Sequence, residues 1–497
     1  MTPLAFFWSF DQQAIFILNS SGVHRGTVST QTIAPLDARE LDSDRFRIVN
    51  EDALHSEISR HLAGKGTRLV RIERDLLPRV GSALRPLLPS GLWLLVADRT
   101  TWPLAGPQIE APLKQLDQPC QRFIVELRDG AAKPTAGLRE VEALQAHIRE
   151  SSSQVAAVVA IGSGTLSDIT KLAAHRAGLR CAVVATAPSM NGYTSGIAAM
   201  MIAGVKQSVP CRPPVACLAD LDLMSQAPYE MIAAGFGDLV SRSVSTADWY
   251  LSHVLTDSAH DPSLLKAVDA SGKLIQGIAG RLPARDSEAI ARLTAALCIS
   301  GLVMQSSSAP VSGGEHLISH YLDMTAPAHA AIADLHGRQV GVATLATSAL
   351  YELLRISGPA EISSGSPASW TQLEESLRQH FGELSGAVLE TARQVYGTTA
   401  ERAERLARLR SEWDSIWHVL GARLRGLEEI RGELLAARAP VRFSAIGVSL
   451  GRARDALVFS QHIRARYTIL HLCGELGLLA DRADELVERL EGSPETG

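Results

Sequence analysis

The sequence predicts an α/β domain followed by an all-helical domain. Two observations carry this prediction. Short apolar runs alternate with amphipathic stretches from about residue 69 to residue 238, and such runs disappear after Pro228. Runs rich in Val and Leu without polar interruption are typical of parallel strands that are buried on both faces. Right-handed crossovers then place the intervening helices on the two sides of the sheet.

The strands are expected at 91–98, 122–127, 155–162 and 181–188. The stretches between them show helical spacing of apolar residues, and so does the chain after Pro228. A connection rich in Gly, Ser and Pro interrupts the second half at 357–369. Residues 1–65 have weak, mixed patterning and no motif. The expected domains are listed here: 1–65, an N-terminal extension of unknown role; 66–227, the α/β domain; and 228–497, the helical domain.

Composition excludes several classes of protein. A chain of 497 residues argues for more than one domain, and 46% apolar with 20% charged residues excludes a largely disordered chain. The 48 basic and 53 acidic residues give a formal net charge of −5. Nucleic-acid binders and proteins of anionic membranes need a clustered basic excess, so neither class is expected.

The cysteines and the N-terminus point to one compartment. The six cysteines contain no CxxC pair, which predicts reduced thiols in a cytoplasmic protein and neither a disulfide framework nor a cysteine zinc site. The first residues are apolar but lack a basic segment and reach Asp11 early, unlike a signal peptide. No apolar run reaches the roughly 18 residues of a membrane span. We therefore expect a soluble protein of the cytoplasm.

A glycine-rich turn follows the expected strand 155–162. The chain there reads Gly162-Ser163-Gly164-Thr165-Leu166-Ser167-Asp168 and continues into a helix. Glycines let the backbone approach a ligand, and a helix N-terminus offers free N–H groups to an anion such as a pyrophosphate. The turn matches neither the complete GxGxxG pattern nor a P-loop. By itself the turn is equally consistent with glycines that serve only close packing. Asp168 would then be an acidic residue in the first turn of the helix, without a ligand role.

The strand at 181–188 ends in a second polar loop, which runs from Thr186 to Ser195 and includes Ser189 and Asn191. Open α/β sheets place ligands at the carboxyl ends of their strands, so this loop is a candidate ligand contact. Loop chemistry alone also fits an ordinary turn rich in Ser, Asn and Gly.

Three histidines and an aspartate form a candidate metal site. His316 and His320 are four residues apart, which puts both imidazoles on one helix face, and His336 follows. Asp238 lies in GFGDL, at or inside a helix start. One carboxylate with two imidazoles suits an open catalytic site for zinc or a similar ion. With 15 histidines in the chain, chance spacing remains an alternative, and Asp238 alone would fit a helix cap.

Taken together, these segments resemble the sn-glycerol-1-phosphate dehydrogenase family, in the superfamily of glycerol dehydrogenase, iron-type alcohol dehydrogenases and 3-dehydroquinate synthase. The most specific matches are TAPSMNGYTS, GDLVS with a following ADW, and GGEHLISH. The resemblance covers about 66–497. It implies a dehydroquinate synthase-like fold, with a nucleotide-binding α/β domain, a helical metal- and substrate-binding domain, and a homo-oligomeric assembly.

The resemblance also implies roles for individual residues. The turn would hold the pyrophosphate of NAD or NADP, and the next loop would contact the nicotinamide half. One divalent metal is implied, with zinc the default and nickel or iron as alternatives. The implied roles are as follows: cofactor binding, Gly162, Gly164, Thr165, Leu166, Ser167, Asp168, Thr186, Ser189 and Ser195; metal ligands, Asp238, His316 and His336; catalysis, Asp238 and His320; substrate contact, Asn191, Asp238 and His320.

The implied reaction is the reduction of dihydroxyacetone phosphate by NADH or NADPH to sn-glycerol 1-phosphate. Many relatives carry Asp where this chain has Asn191, so the substrate contact has lost a charge. Lys206, Arg464 and Arg466 are candidate phosphate partners by charge alone. The alternatives are a dehydroquinate synthase-like cyclase, a glycerol or polyol dehydrogenase on the same scaffold, and a non-catalytic metabolite-sensing relative.

Overall fold

The structure is a computed structural model that describes residues 5–9, 14–19, 22–24, 51–126, 135–151, 154–305, 307–359 and 369–492. Its contacts divide the chain into two units, Met1–Ile48 and Val49–Gly497. In the first unit an antiparallel sheet has the strand order β1-β2-β3. Its strands are β1 (Ala5–Ser9), β2 (Ala14–Asn19) and β3 (Gly22–His24).

The second unit begins with helix α1 (Glu51–Leu62), whose Leu54 and Ile58 are buried in the main hydrophobic core. The expected boundary at residue 65 and the expected division at 227 remain predictions. The strands of this unit are β4 (Leu69–Glu73), β5 (Leu92–Ala97), β6 (Cys120–Ile124), β7 (Val155–Gly162), β8 (Arg180–Ala185), β9 (Ile197–Ile202), β10 (Val205–Pro210) and β11 (Ala216–Asp220).

A parallel sheet organises the first half of this unit. Its strand order is β4-β11-β8-β7-β5-β6, and every pairing is parallel. Strands β9 and β10 form a separate antiparallel hairpin that the sequence patterning did not predict. The helices that accompany the sheet are α2 (Val80–Leu84), α3 (Thr101–Gln115), α4 (Leu138–Glu150), α5 (Gly164–Arg176) and α6 (Leu221–Gln226).

The order of the strands locates a topological switch point. From β5 the chain moves outward to β6, whereas from β7 it moves in the opposite direction to β8 and then β11. The loops after β5 and β7 therefore diverge and leave a crevice at the carboxyl edge of the sheet. Ligands of open α/β sheets bind at such a crevice.

The second half is helical, as predicted, and no strand occurs after Asp220 in the part of the chain that the structure describes. Within the connection expected at 357–369, residues 360–368 lie outside the described residues. The helices are α7 (Tyr229–Val240), α8 (Arg242–Thr256), α9 (Leu265–Ile275), α10 (Ser287–Val303), α11 (Gly314–Thr325), α12 (His336–Ser357), α13 (Trp370–Phe381), α14 (Ser385–Tyr396), α15 (Thr399–Ser411), α16 (Trp413–Gly421), α17 (Leu427–Ala436), α18 (Leu450–Phe459), α19 (Ile469–Glu475) and α20 (Leu478–Glu491).

Helices α7 and α12 approach each other unusually closely, and glycines allow it. A Cβ on Gly237 would collide with the carbonyl oxygen of Gly337, and a Cβ on Gly337 would collide with that of Ala234. Only residues without a side chain let the two backbones meet in this way. Asp238 and His336 are the immediate chain neighbours of these glycines, so the close contact sets how near their side chains lie.

Among the described residues, the helices are all too short or too polar to cross a membrane.

Candidate active site and metal centre

A cleft of about 1370 Å³ opens at the carboxyl edge of the sheet. Its walls come from the turn after β5, the glycine turn after β7, the loop at 186–195, the β9–β10 hairpin and the helices α11 and α12. The switch point and the histidine-bearing helices therefore face one cavity. A ligand in this cleft would contact both halves of the second unit.

The glycine turn supplies a helix N-terminus to the wall of the cleft. Gly162 ends β7, Ser163 is the extended residue that precedes the helix, and α5 begins at Gly164. The first intrahelical bond runs from Ser167 N–H to Ser163 C=O, so the preceding amide groups are free to face an anion. A Cβ on Gly164 would lie 3.0 Å from Met190 Cγ, which leaves the backbone as the surface at this point.

The residues expected to bind cofactor divide into two groups. Gly162 and Ser167 do not line the cleft. A side chain at Gly162 would collide with Leu166, and Ser167 is completely buried, so both lie beneath the wall and support its packing. Those that line the cleft are Gly164, Thr165, Leu166, Asp168, Thr186, Ser189 and Ser195.

Lys171 connects the glycine turn to the loop at 186–195. Its ammonium group is fully buried and lies 2.8 Å from Asp168 Oδ1. It also donates to Gly192 O at 2.9 Å, Ser195 Oγ at 3.0 Å and Ile197 O at 2.7 Å. Asp168 in turn accepts from the backbone N–H of Ala199 at 3.2 Å. The carboxylate of Asp168 therefore fixes loop geometry as well as facing the cleft.

Asp238, His316 and His336 converge on one point. One ligand atom from each lies within 4.8 Å of the others. Asp238 lies within the last turn of α7, so its expected place at a helix start is corrected. His316 lies in the first turn of α11, and His336 is the first residue of α12. Three helices thus each contribute one side chain, in a geometry that fits a metal ion with an open position.

Hydrogen bonds turn the same ring nitrogen of each histidine toward the shared point. His316 Nδ1 lies 2.7 Å from Glu315 Oε1, and because an ionised carboxylate only accepts, Nδ1 carries the proton. That leaves the lone pair on Nε2, which lies 3.5 Å from Asp238 Oδ1. A carboxylate behind a ligating imidazole is a common arrangement in metal sites.

A longer chain sets the tautomer of His336. Lys206 Nζ lies 3.2 Å from Asp323 Oδ2, and Asp323 Oδ1 accepts from Gln339 Nε2 at 3.3 Å. The amide oxygen of Gln339 therefore accepts from Ser319 Oγ at 2.7 Å. Since the single hydroxyl proton of Ser319 is used there, Ser319 Oγ accepts from His336 Nδ1 at 2.9 Å. The lone pair of His336 Nε2 is left for a cation.

Electrostatics favour an ionised Asp238 and a neutral His336, whereas His316 is favoured in its protonated form. Burial raises the pKa of Asp238, but the hydrogen bond with His316 and the charge of Arg242 outweigh it and lower that pKa to about 2. Burial, together with the charge of His316, lowers the pKa of His336 to about 4. His316 has a raised pKa because Asp238 and Glu315 outweigh its burial. A bound cation would displace that proton.

His320 and Asn191 border the same point. The ring centroid of His320 lies 6.3 Å from that of His316 and 5.5 Å from that of His336. His320 Nδ1 is buried without a hydrogen-bond partner among the described residues, and burial together with the charge of Arg464 lowers the pKa of this histidine well below 6.5. Asn191 donates to Asp238 through its backbone and its side chain.

Motif reading missed several residues of the site. Glu315, Ser319 and Gln339 orient His316 and His336, and Lys171 holds the loop at 186–195. Asp98 Oδ1 accepts from the N–H groups of the turn after β5, where the turn lines the cleft. A polar turn directly after a strongly apolar strand is the one signal in the sequence that could have identified Asp98. The others depend on contacts between distant segments.

Comparison with known proteins agrees with this architecture. Residues 71–228 match the family model described as "Iron-containing alcohol dehydrogenase". The S. pombe glycerol dehydrogenase structure is similar, with a TM-score of 0.56 at 14% identity, over 86% of this chain and 92% of that one. An NADH-dependent butanol dehydrogenase from Thermotoga maritima gives 0.55 at 15% identity, over 86% and 97%. These two likenesses concern the fold.

Relatives by sequence carry the name glycerol-1-phosphate dehydrogenase [NAD(P)+]. The one from Bacillus velezensis is 30% identical over 389 residues, which is 77% of this chain and 85% of its own length. The one from Halalkalibacterium halodurans is 34% identical over 260 residues, 52% of this chain, and the match spans 64% of that relative, less than two thirds of its length. The chain belongs to the glycerol-1-phosphate dehydrogenase family, within the superfamily of glycerol dehydrogenases and iron-containing alcohol dehydrogenases.

Proposed function

We propose that this protein is a metal-dependent, NAD(P)H-linked reductase that converts dihydroxyacetone phosphate to sn-glycerol 1-phosphate. The observation that carries the proposal is the convergence of the buried Asp238 with His316 and His336, two histidines that line the same cleft as the N-terminal residue of α5, Gly164. A cofactor whose pyrophosphate lies at α5 would extend toward the three side chains. The names of the relatives support the substrate, and the expected place of action is the cytoplasm.

The donor set fits a divalent ion. Asp238 Oδ1 and the two Nε2 atoms are the ligands it would use, and zinc, nickel and iron all accept carboxylate with imidazole. When bound, such an ion supplies Lewis-acid polarisation of a substrate carbonyl, an effect of several kcal/mol in a transition state. Arg242 Nη2 lies 3.4 Å from Asp238 Oδ1, and its charge keeps the carboxylate ionised. Asn191 donates its backbone N–H to the same carboxylate and helps to orient it.

The remaining side chains would hold the reactants and handle the proton. Ser189 and Ser195 border the region expected for the nicotinamide, and Lys171 keeps their loop against α5. His320 is neutral at physiological pH because of its lowered pKa. It would therefore bind a substrate oxygen without repelling a cation bound nearby. The proton that the reduced oxygen needs would arrive through water or through His320, whose ring reaches the same cavity.

The test is an activity assay with purified protein, dihydroxyacetone phosphate and NADH or NADPH, each with and without chelator. We expect net oxidation of the cofactor that chelation abolishes and a divalent metal restores. A cyclase would regenerate its cofactor and give no net oxidation. Activity on glycerol or other polyols with none on the phosphate ester would favour a polyol dehydrogenase. A purified protein that contains no metal and shows no turnover, even after metal is added, would favour a sensing relative.

The variant His336→Ala tests the ligand assignment. It should lose bound metal and lower turnover by about a hundredfold or more, because several kcal/mol of transition-state stabilisation are removed. Cofactor binding should stay near the wild-type level. The matched control is His329→Ala, which changes an exposed histidine outside the cleft. Stoichiometric metal and full turnover in His336→Ala would refute the assignment.

A further inference from the structure

Two basic side chains meet on one wall of the cleft. Lys206 and Ser208 lie two residues apart on β10, so their side chains share a face of that strand. Arg464, from the segment after α18, donates Nη2 to Ser208 Oγ at 3.2 Å. All three residues line the cleft. An ammonium group, a guanidinium group and a hydroxyl are thus gathered at one place.

This wall carries an uncompensated positive charge. Asp323 Oδ2 lies 3.2 Å from Lys206 Nζ and offsets that ammonium. For Arg464, no carboxylate lies within ion-pair distance among the residues that the structure describes. Burial and the neighbouring Arg466 lower the pKa of Arg464 to about 9, as expected for a guanidinium without a counter-ion, and it remains charged at neutral pH. An anionic ligand would supply the missing partner.

The same wall adjoins the candidate metal centre. Asp323 lies one helical turn after His320 on α11, and the charges of Arg464 and Lys206 act on the His320 ring. Arg466 is placed differently. Its guanidinium donates to Ser312 O and Ser308 Oγ, and it lines a separate cavity. Of the three basic residues that charge alone singled out, only Lys206 and Arg464 face the cleft.

We infer that Arg464, Lys206 and Ser208 form the subsite for the anionic end of the substrate, a phosphate monoester on a short hydroxyketone. Arg464 is the specificity-determining residue of this subsite, since its fork of N–H donors matches phosphate oxygens and its charge is unpaired. Lys206 adds a second charge while Asp323 holds it in place. The inference rests on the proposed function, because it assigns the phosphate of that same substrate.

The experiment compares dihydroxyacetone phosphate with dihydroxyacetone, which lacks the phosphate. In Arg464→Gln, the ratio of kcat/KM for the two substrates should fall roughly ten- to hundredfold, as expected for losing a hydrogen bond to a charged group. Lys206→Gln, which still can donate to Asp323, should lower the same ratio. The matched control is Arg454→Gln on α18, whose partners Asp455 and Asp484 lie outside the cleft, and its ratio should stay unchanged.

The outcomes separate the inference from the proposed function. A wild type that prefers the phosphate ester, with Arg464→Gln and Lys206→Gln folded, metal-loaded and equally selective, would overturn the inference and leave the function standing. If the wild type reduces neither triose, the function fails and the subsite is tested alone by calorimetric titration with inorganic phosphate. Binding that is lost in Arg464→Gln and kept in Arg454→Gln supports it, whereas equal binding in both overturns it.

Discussion

Asn191 donates two hydrogen bonds to the carboxylate of Asp238. Its backbone N–H lies 3.0 Å from Oδ2, and its side-chain Nδ2 lies 3.3 Å from Oδ1. The amide thus stabilises the ionised carboxylate without adding charge to a completely buried position. A carboxylate at position 191, which the family resemblance leads one to expect, would have no proton to donate there when ionised.

We therefore expect Asn191→Asp to make folding depend more strongly on metal. Two buried carboxylates in contact repel each other, so the metal-free variant should melt a few degrees below the wild type. A divalent cation would relieve that repulsion, so the rise in Tm on adding metal should be larger than in the wild type. Thermal unfolding with chelator and with metal measures this. Asn191→Ala is the uncharged control, and an equal rise in all three proteins would contradict the prediction.

Ser319 should matter to metal binding although it is not a ligand. Ser319→Ala removes the acceptor that keeps the proton on His336 Nδ1, so Nε2 is no longer held as the free lone pair. Partners behind metal ligands are worth about 10- to 100-fold in affinity, and we expect a loss of that size in a chelator competition. Ser300→Ala is the control, since that buried hydroxyl has no hydrogen-bond partner in the described part of the chain. Equal losses in both variants would argue against the tautomer mechanism.

The contact between α7 and α12 should be intolerant of even one methyl group. In Gly237→Ala the new Cβ would meet the carbonyl oxygen of Gly337, so the helices must separate. Overpacking of this kind costs about 1–3 kcal/mol, and it would also move Asp238 away from His336. We expect a lower Tm together with weaker metal binding. Gly272→Ala on α9, where a Cβ would meet nothing within 4 Å, should leave metal binding unchanged and should not lower the Tm, because alanine favours a helix over glycine.

His471 should make the protein sensitive to mild acid. It is buried, and burial lowers its pKa to about 3. The unfolded chain binds the proton near pH 6.5, so the folded state holds fewer protons and stability falls as the pH drops from about 6.5 toward 3. His471→Gln keeps an acceptor for the N–H of Thr468 at the start of α19, without this titration. The difference in Tm, variant minus wild type, should therefore increase as the pH is lowered from 8 to 5. A difference that does not change with pH would refute this.

The sequence predicted the elements whose pattern is local. Continuous apolar strands and helical spacing placed the two halves, and β7 has the predicted bounds. The hairpin β9–β10 was not predicted, because Ile197–Ile202 and Val205–Pro210 sit beside a polar loop and lack clear alternation. Asp238 was expected near a helix start, yet α7 continues past it to Val240. The two preceding glycines lie inside the helix and do not form a turn: Gly235 packs against Pro188, and Gly237 packs against Gly337.

The candidate site was predictable only as far as its motifs extend. Asp238, His316 and His336 stand in recognisable segments, and the structure brings them together. Gly162 and Ser167 share a motif with the residues of the cleft wall but lie beneath it, since only the fold decides which side of a turn faces a ligand. The sequence gives no reason to prefer Arg464 over Arg466 as a phosphate partner, since both were identified by charge alone. Their different surroundings arise from contacts with β10 and with the segment before α11.

Because Asp238, His316 and His336 come from α7, α11 and α12, the set is complete only after the ribosome has passed His336, the first residue of α12. A nascent chain carrying α7 alone offers one carboxylate, which holds zinc, nickel or iron weakly. Loading should therefore follow the packing of α12 against α7, and starvation for the ion should accumulate folded but empty protein that can be rescued by later supply.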